Sequence, residues 1–300
     1  MRIAIIGNNQ CWHAAKLAEA LERMDMSVFS VLPRCMRASI GEKPYVISCN
    51  GSSSIPLDDF DAVVVRSVPG GSLEQVIFRV DVLHRLENAG VKLINNAACV
   101  EKTVDKYYTS ALLEDCGIPT PRTVVTERFD EAMAAYQSMG DVIVKPLFGS
   151  LGLGMVRVSD EDTAHRVFRA WQACRYVYYI QEYIPHGNWD VRAFVIGSRV
   201  VSAMRRSSDS WKTNINRGGI AESYKLSSEQ EELCFKTASA LGAAYLGVDI
   251  LVDPEGTSYV IEANSVPGWK GLQDVTDLDI ASEFANYVVK YARGELAYGE

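Results

Sequence analysis

The chain is poor in the features that mark secreted, zinc-binding and membrane-spanning proteins. Its seven cysteines are scattered through 300 residues with no C-x-x-C pair. That argues against a disulfide framework or a thiolate zinc site, and reads as reduced, buried thiols in a cytoplasmic protein. Four isolated histidines form no H-E-x-x-H, against a zinc hydrolase. No apolar run approaches the ~18–20 residues of a spanning helix. The opening "MRIAIIGNNQ" has too short an apolar part for a signal peptide, and no small-residue cleavage pattern follows. Positive charge is scarce: 30 Lys and Arg stand against 38 Asp and Glu, for a net charge of −8 and a pI of about 5.2. This argues against a nucleic-acid or membrane surface and leaves only a local basic pocket. No G-x-G-x-x-G follows the first strand, which argues against a dinucleotide-dependent oxidoreductase. There are no repeats and no low-complexity tract.

What the chain does have is enough hydrophobic residues, 48%, for two or three domains with real cores. The pattern is α/β in three segments. Residues 1–95 alternate strands ("RIAIIG", "MSVFSVLP", "DAVVVRS", "VKLIN") with helices ("HAAKLAEALERM", "SLEQVIFRVDVLHRLENAG"), which predicts a small parallel sheet. Residues 96–179 open with one helix, "TVDKYYTSALLEDCG". Helices around "FDEAMAAYQSMG" and "EDTAHRVFRAWQAC" flank the stretch "DVIVKPLFGSLGLGMVRVSD". Residues 180–300 have an α+β character. "DVRAFVIGSRVVSAMRR" predicts a hairpin with a Gly197-Ser198 turn, "SSEQEELCFKTASALG" a helix, and a last helix starts near Asp279.

The stretch "GVDILVDPEGTSYVIEANS" carries oxygen ligands. A four-residue loop from Asp253 to Gly256 would pair Val252 with Thr257 and set Asp249 opposite Val260. Val260 would share a face with Glu262 and Asn264 by strand alternation. Asp249, Glu262 and Asn264 would then converge on one hard cation, Mg²⁺ or Mn²⁺, shared with a phosphate. A one-residue slip would turn Asp249 away.

For the phosphate, Lys145 ends an apolar strand and Gly149, Ser150, Gly152 and Gly154 form a flexible loop. This is not a P-loop, which needs G-K-[S/T]. "MVRVSD" after it alternates like a strand, so the loop joins two strands. It can turn backbone N–H groups to a triphosphate, or be an ordinary hairpin connection. Arg206, ending a strand, reads as solvated surface.

In chain order, the helix carrying Lys106, Lys145 with "GSLGLG", "QEYI", "DVR", "WKTNINRGG", "GVDIL" and "IEANSVPG" resemble the ATP-grasp ligases. The similarity is close to the RimK-like branch, which adds glutamate through an α-linkage. It covers the second and third segments, and the first only in layout. The resemblance implies an ATP-grasp fold, with an N-terminal parallel α/β domain and two subdomains clamping ATP. It implies Lys106 and Lys145 at the ATP phosphates, the glycine loop as a lid, and Gln181, Glu182, Tyr183 and Ile184 as the hinge strand holding adenine. Asp190 would contact the ribose or nucleotide. Lys212, Thr213 and Asn214 resemble the family's Arg-Ser-Asn tripeptide, with Lys lacking the planar fork of Arg. Asp249, Glu262 and Asn264 match a triad for two Mg²⁺ or Mn²⁺ ions. Arg205 and Arg217, with Lys145, are implied at the reacting groups.

The implied reaction is ADP-forming ligation of L-glutamate to an acceptor carboxylate through an acylphosphate. "CWH", "RSVPGGSLEQVIFRVDVLHRLENAGV", "EKTVDKYYTSALLEDCGIPTP", "KPLFGS" and "NSVPGWKGLQ" look like the RimK-type proteins of tetrahydromethanopterin-linked metabolism, implying a pterin acceptor. A deazaflavin polyglutamate, a protein C-terminus or a peptide is the alternative, and a non-catalytic nucleotide-binding homologue a rival class. Trp12, His13, Arg66, Trp189, Trp211, Trp269 and Lys270 are candidate acceptor-cleft residues, with "GWKG" foremost because it follows the metal strand. The family also implies a homo-oligomer, dimer or tetramer, with neither nucleic acid nor membrane as partner.

Overall fold

A computed structural model describes residues 1–50, 53–149, 152–215 and 218–300. The first segment folds as β1 (Arg2–Ile6), α1 (Trp12–Glu22), β2 (Ser27–Val31), β3 (Met36–Ala38), β4 (Val46–Asn50), β5 (Ser53–Pro56), β6 (Ala62–Val65), α2 (Leu73–Asn88) and β7 (Lys92–Ile94). β2-β1-β6-β7 form the expected parallel sheet. β3, β4 and β5 add a small antiparallel sheet that the sequence pattern did not announce. α1 buries Ala14, Leu17, Ala20 and Leu21, the i, i+3, i+6, i+7 spacing of one helical stripe. α2 starts at a reciprocal capping box between Ser72 and Gln75.

The expected single helix after residue 96 is two, α3 (Ala97–Val104) and α4 (Lys106–Asp115). Asp105 between them accepts from the Tyr107 and Tyr108 N–H groups, so it caps a new helix and ends the old one. Then come β8 (Thr123–Thr126), α5 (Phe129–Met139), β9 (Val142–Lys145), β10 (Val156–Val158), α6 (Glu161–Ala173) and β11 (Tyr178–Glu182). Their sheet has the order β10-β9-β11-β8 and is antiparallel. A boundary after Tyr179 therefore falls inside β11, whose ladders hold it wholly in this sheet. Cys99, Leu113 and Ile118, around α3 and α4, pack in the core of the next sheet.

The last part contains β12 (Trp189–Ile196), β13 (Arg199–Ser207), β14 (Ile220–Ser223), α7 (Ser228–Leu241), β15 (Tyr245–Val252), β16 (Ser258–Asn264), α8 (Lys270–Gln273) and α9 (Ile280–Arg293). Its sheet runs β14-β13-β12-β15-β16. Gly197 opens the two-residue β12–β13 turn at φ +55, a conformation that favours glycine. α9 packs with α1 in one core that joins β1 (Ile3, Ile5) to β12 (Phe194) through Phe284 and Val288. Of the seven free cysteines, only Cys99 and Cys234 are buried, while Cys11, Cys116 and Cys174 are exposed, which corrects the reading of the set as buried. Among the described residues, no helix is long and apolar enough to cross a membrane.

Asn95 fastens the two ends of the chain. It is fully buried. Its Nδ2 donates to Tyr245 O at 2.7 Å and Ser265 O at 2.9 Å, and its Oδ1 accepts from Ala244 N at 2.6 Å and Tyr245 N at 3.1 Å. An Asn95→Leu variant fills a similar volume but leaves buried backbone groups of β15 and the segment after β16 unpaired. We expect it to lose about 3 kcal/mol or more of stability, measured by urea unfolding; a loss under about 1 kcal/mol would show that these groups find other partners.

Candidate functional site

The ligand-bearing hairpin forms with a different register from the one expected. Val252 pairs with Ser258, Ile250 with Val260 and, after a bulge, Asp249 with Glu262. The loop has five residues, Asp253 to Thr257, because the Asp253 and Thr257 backbones close it and Asp253 Oδ1 accepts from Thr257 N at 2.7 Å. Alone, that longer loop would set Asp249 against Ile261. The bulge inserts one residue, so that Asp249 faces Glu262. Val260 does not share the ligand face as expected. It is buried in the core with Val248, Ile250 and Ala263; Val260, Ala263 and Asn264 border only the larger cavity, while Ile261 and Glu262 border both.

Two cavities meet at Glu262. The smaller, about 70 Å³, lies between the central and C-terminal sheets. It is lined by Lys145, by Gln181 to Ile184, by Asp190, by Lys212 to Asn214, and by Asp249. It therefore gathers the expected hinge, tripeptide and lysine around one space. His186 joins its two edges: its ring nitrogens lie 2.8 Å from Ile184 O and 3.2 Å from Trp211 O. The larger cavity, about 730 Å³, is of small-molecule size. The loop after β6, α3, α4 and β16 form it, and Lys106, Gly149 and Asn264 line it.

The floor of the smaller cavity is an ion network. Arg206 Nε and Nη2 donate to Asp190 at 2.7 and 2.6 Å, and Thr213 Oγ1 donates to the same carboxylate at 2.7 Å. Arg206 Nη2 also lies 3.0 Å from Asp249 Oδ2. Arg192 meets Asp249 through Nε, and through Nη2 at 2.7 Å. Burial alone would push the Asp249 carboxyl up, but Arg192 and Arg206 outweigh it and hold it below the usual carboxylate range. Burial likewise opposes the Arg206 charge, and Asp249 and Asp190 more than restore it. The expectation that Arg206 is solvated surface is thus corrected, since only 4% of it is exposed. Arg205, the neighbour favoured instead, lines neither cavity. Strand alternation turns it the other way, with its guanidinium 4.6 Å from the centre of the Trp189 ring. Arg192 is a further residue of this network, and its spacing of two from Asp190 in "DVR" puts both on one strand face.

Lysines close the top. Lys145 Nζ donates to Gln181 Oε1 at 2.6 Å. Burial lowers it to about 8, with Lys106 adding repulsion and Glu262 and Asp249 opposing. Lys106 leads α4 and donates to Gly149 O at 2.7 Å; burial lowers it too, against Glu262 and Asp105. Lys212 donates to Met155 O at 2.7 Å. Gly152 holds φ +65, and a Cβ there would come within 2.8 Å of Asn214 Oδ1, so the loop can lie this close only as glycine. Gly154 has φ +76 and lines neither cavity. Ser150 and Arg217 lie outside the described residues.

The proposed acceptor wall is corrected in part. Trp269 is fully buried, stacked on Phe194 at 5.8 Å. Arg66 lies 4.5 Å over its ring and donates to Pro267 O at 2.7 Å. Trp211 lines the smaller cavity, and of the seven candidates only Arg66 reaches the larger one.

As to cations, the side-chain donors on the ligand face are all oxygens, as a hard ion requires. Glu262 has no ion pair or side-chain hydrogen bond among the described residues. Asn264 Oδ1 accepts from Val266 N at 2.8 Å. Asp249 is already shared by two arginines. Glu262 and Asn264 therefore fit a divalent cation directly, with Asp249 beside them.

Comparison with known proteins identifies the family. Residues 1–100 match the RimK PreATP-grasp domain and residues 103–288 the RimK-like ATP-grasp domain. The chain is 34% identical over 298 residues to the tetrahydromethanopterin:α-L-glutamate ligase of Methanococcus maripaludis, covering 98% of this chain and 99% of that one. It is 32% identical over 246 residues to the α-aminoadipate–LysW ligase LysX of Sulfurisphaera tokodaii, covering 80% and 84%. Among solved structures, the ATP-grasp ligase PsnB complexed with minimal precursor, Mg and ADP superposes with a TM-score of 0.73 at 23% identity, covering 97% of this chain and 98% of that one.

The buried lysine has a measurable consequence. Folded, Lys145 gives up its proton near pH 8, while an unfolded lysine keeps it to about 10.4. Between those values the unfolded chain binds more protons, so this group makes stability rise with pH. At pH 7 the charged lysine opposes folding, and Lys145→Met should be more stable than the parent by roughly 1–3 kcal/mol. Urea unfolding at pH 7 and 9.5 should show this advantage shrinking at the higher pH; a variant less stable at pH 7 would contradict the sign.

Proposed function

The chain belongs to the RimK-like ATP-grasp ligases, and from that premise we propose that it joins L-glutamate, through an α-linked amide, to the carboxylate of a small acceptor, a pterin of the tetrahydromethanopterin type. The observation that carries this is the position of Glu262. Unpaired among the described residues, this carboxylate is shared by the walls of the smaller and larger cavities. On this reading ATP binds along the cleft of the smaller cavity, which at about 70 Å³ must widen between the two sheets to admit it, with its γ-phosphate at that seam, and the acceptor occupies the larger.

An acceptor carboxylate oxygen attacks the γ-phosphorus and ADP leaves with the bridging oxygen. The glutamate amine then attacks the acyl carbon of the acylphosphate; phosphate departs and the amine releases a proton. Attack of one anion on another needs charge balance at the seam. Mg²⁺ or Mn²⁺ held by Glu262 and Asn264, with Asp249 alongside, supplies Lewis-acid charge when bound. Lys145 and Lys106 hold the phosphates from above. Arg206 and Arg192 keep Asp249 ionised, and Arg206 and Thr213 fix the Asp190 carboxylate. Arg217 remains a candidate for an incoming carboxylate, and Ser150 and Gly154 for the loop over the phosphates. The Gln181–Ile184 strand edge takes the adenine.

The large cavity supports a ring-bearing acceptor. Val68, Leu73, Val76, Val104 and Phe148 give it apolar walls, and Arg66 and Lys106 are its cationic side chains. A polyanionic tail would call for more positive charge along its length. The relative from Methanococcus is named for a pterin substrate, and LysX for the protein LysW, so a protein acceptor is the reading to test against. We further propose that the enzyme works in the cytoplasm as a homo-oligomer, with Ile77 and Phe78, exposed on α2, as part of the contact.

The test is ADP release with ATP, Mg²⁺ and L-glutamate over tetrahydromethanopterin, a glutamylated deazaflavin, and a protein or peptide ending in glutamate, with product mass as readout. The expected result is one or more glutamyl masses added to the pterin. Glu262→Ala should reduce the rate by about 10³-fold or more while leaving the fold intact by circular dichroism. Turnover confined to the protein or peptide acceptor would overturn the pterin assignment, and an active Glu262→Ala would overturn the cation site.

A further inference from the structure

Gln181 lies buried in β11 with its side-chain amide between three groups. Its Oε1 accepts from Lys145 Nζ at 2.6 Å. Its Nε2 donates to Thr123 Oγ1 at 3.1 Å and to the Tyr179 hydroxyl at 3.2 Å. The two ends of an amide are alike in shape, so only its neighbours can orient it. Here they do so from both sides. Lys145 donates and cannot accept. Thr123 has one hydroxyl proton, which it donates to Pro121 O at 2.8 Å, and towards Gln181 it can only accept. A flipped amide would set donor against donor at the lysine and acceptor against acceptor at the threonine.

We infer that Thr123, which lines neither cavity, is a positioning residue for ATP: through the Gln181 amide it holds the Lys145 ammonium on a neutral acceptor. This rests on the ligase reading. The neutrality of the acceptor is the point. A carboxylate at position 181 would hold the ammonium as well, but it would cancel the charge that the phosphates need. The amide fixes the lysine and leaves its charge free. Burial, which disfavours the Lys145 charge, makes a well-oriented carbonyl more important there than at the surface. Tyr179 supports the same orientation: it takes the second Nε2 proton, and its hydroxyl lies 2.8 Å from Ser110 Oγ on α4.

Binding of the Mg²⁺ complex of adenylyl imidodiphosphate, read by calorimetry, tests this on the full chain. Thr123→Val keeps the size and strand preference but removes the acceptor; we expect affinity about fivefold weaker. Thr123→Ser restores a hydroxyl and should bind within about twofold of the parent. Gln181→Glu should bind about tenfold more weakly, because its charge cancels that of Lys145, with folding checked by circular dichroism. A parent chain that does not bind the nucleotide would defeat the ligase reading itself. If the parent binds, and Thr123→Val binds equally or Thr123→Ser fails to restore binding, the inference alone falls. Should Thr123→Val not fold, Gln181→Glu decides, and undiminished affinity there overturns the role of the neutral acceptor.

Discussion

Asp249 must stay ionised where water barely reaches, and the rest of the site is arranged around that requirement. Only 3% of it is exposed. A lone carboxylate so placed would take up a proton rather than remain charged. Two guanidinium groups prevent this, and each needs a strand position that faces the same way. Arg192 pairs with Asp249 directly across β12 and β15, and Arg206 pairs with Asp190 across β12 and β13. Three adjacent strands thus place two arginines and two aspartates on one face in alternating sign. Breaking such a network from one side would leave a buried charge without a partner, a heavy penalty compared with any surface pair.

The same face explains why Glu262 is different. It lies opposite Asp249 but outside the reach of either arginine, with Lys145 and Lys106 exerting only longer-range attraction on it. Among the described residues no arginine pairs with it. A cation drawn to this face therefore finds its strongest unshared ligand at Glu262. The bulge that brings Glu262 opposite Asp249 also keeps Val260 and Ala263 in the core, so one irregularity serves both the packing and the ligand geometry.

Most of the architecture was legible in the sequence because it rests on periodicity and caps. The parallel strands of the first segment, the helices from Ser228 and Ile280, and the Gly197-Ser198 hairpin all follow from local pattern. Lys145 at the end of an apolar strand was legible in the same way, whereas Gln181 to Ile184 entered only through the resemblance to the ATP-grasp ligases. What was not legible depends on partners far apart in sequence. The Asp249 register came out on the correct face by two compensating differences, a longer loop and a bulge, neither marked by any residue type. Arg206 and Arg205 are adjacent cations, and only the pairing of β13 with β12 tells which one faces Asp190. Trp269 looked like a wall of the acceptor cleft because it follows the ligand strand. It is core because α9 and α1 close over it, and no local feature of "PGWKG" reports that.

That closure matters for the chemistry. Trp269, Phe194 and Phe284 form the apolar base on which the turn after β16 rests, and Arg66 reaches from the first domain to Pro267 O in that turn. Asn95 does the same one strand further on, binding Ser265 O. Glu262 and Asn264 therefore end a strand whose exit is anchored to the N-terminal domain at two buried points. The larger cavity is walled on one side by the loop after β6, from the same domain. The first domain thus fixes both one wall of the larger cavity, the proposed acceptor space, and the end of the ligand strand. A shift of that domain would alter the distance between an acceptor carboxylate and the phosphate seam, and reaction rates fall steeply with such displacements. On the proposed reading, the pairing of an anchored ligand strand with a domain-borne wall would let the first domain choose the acceptor presented to the phosphate seam.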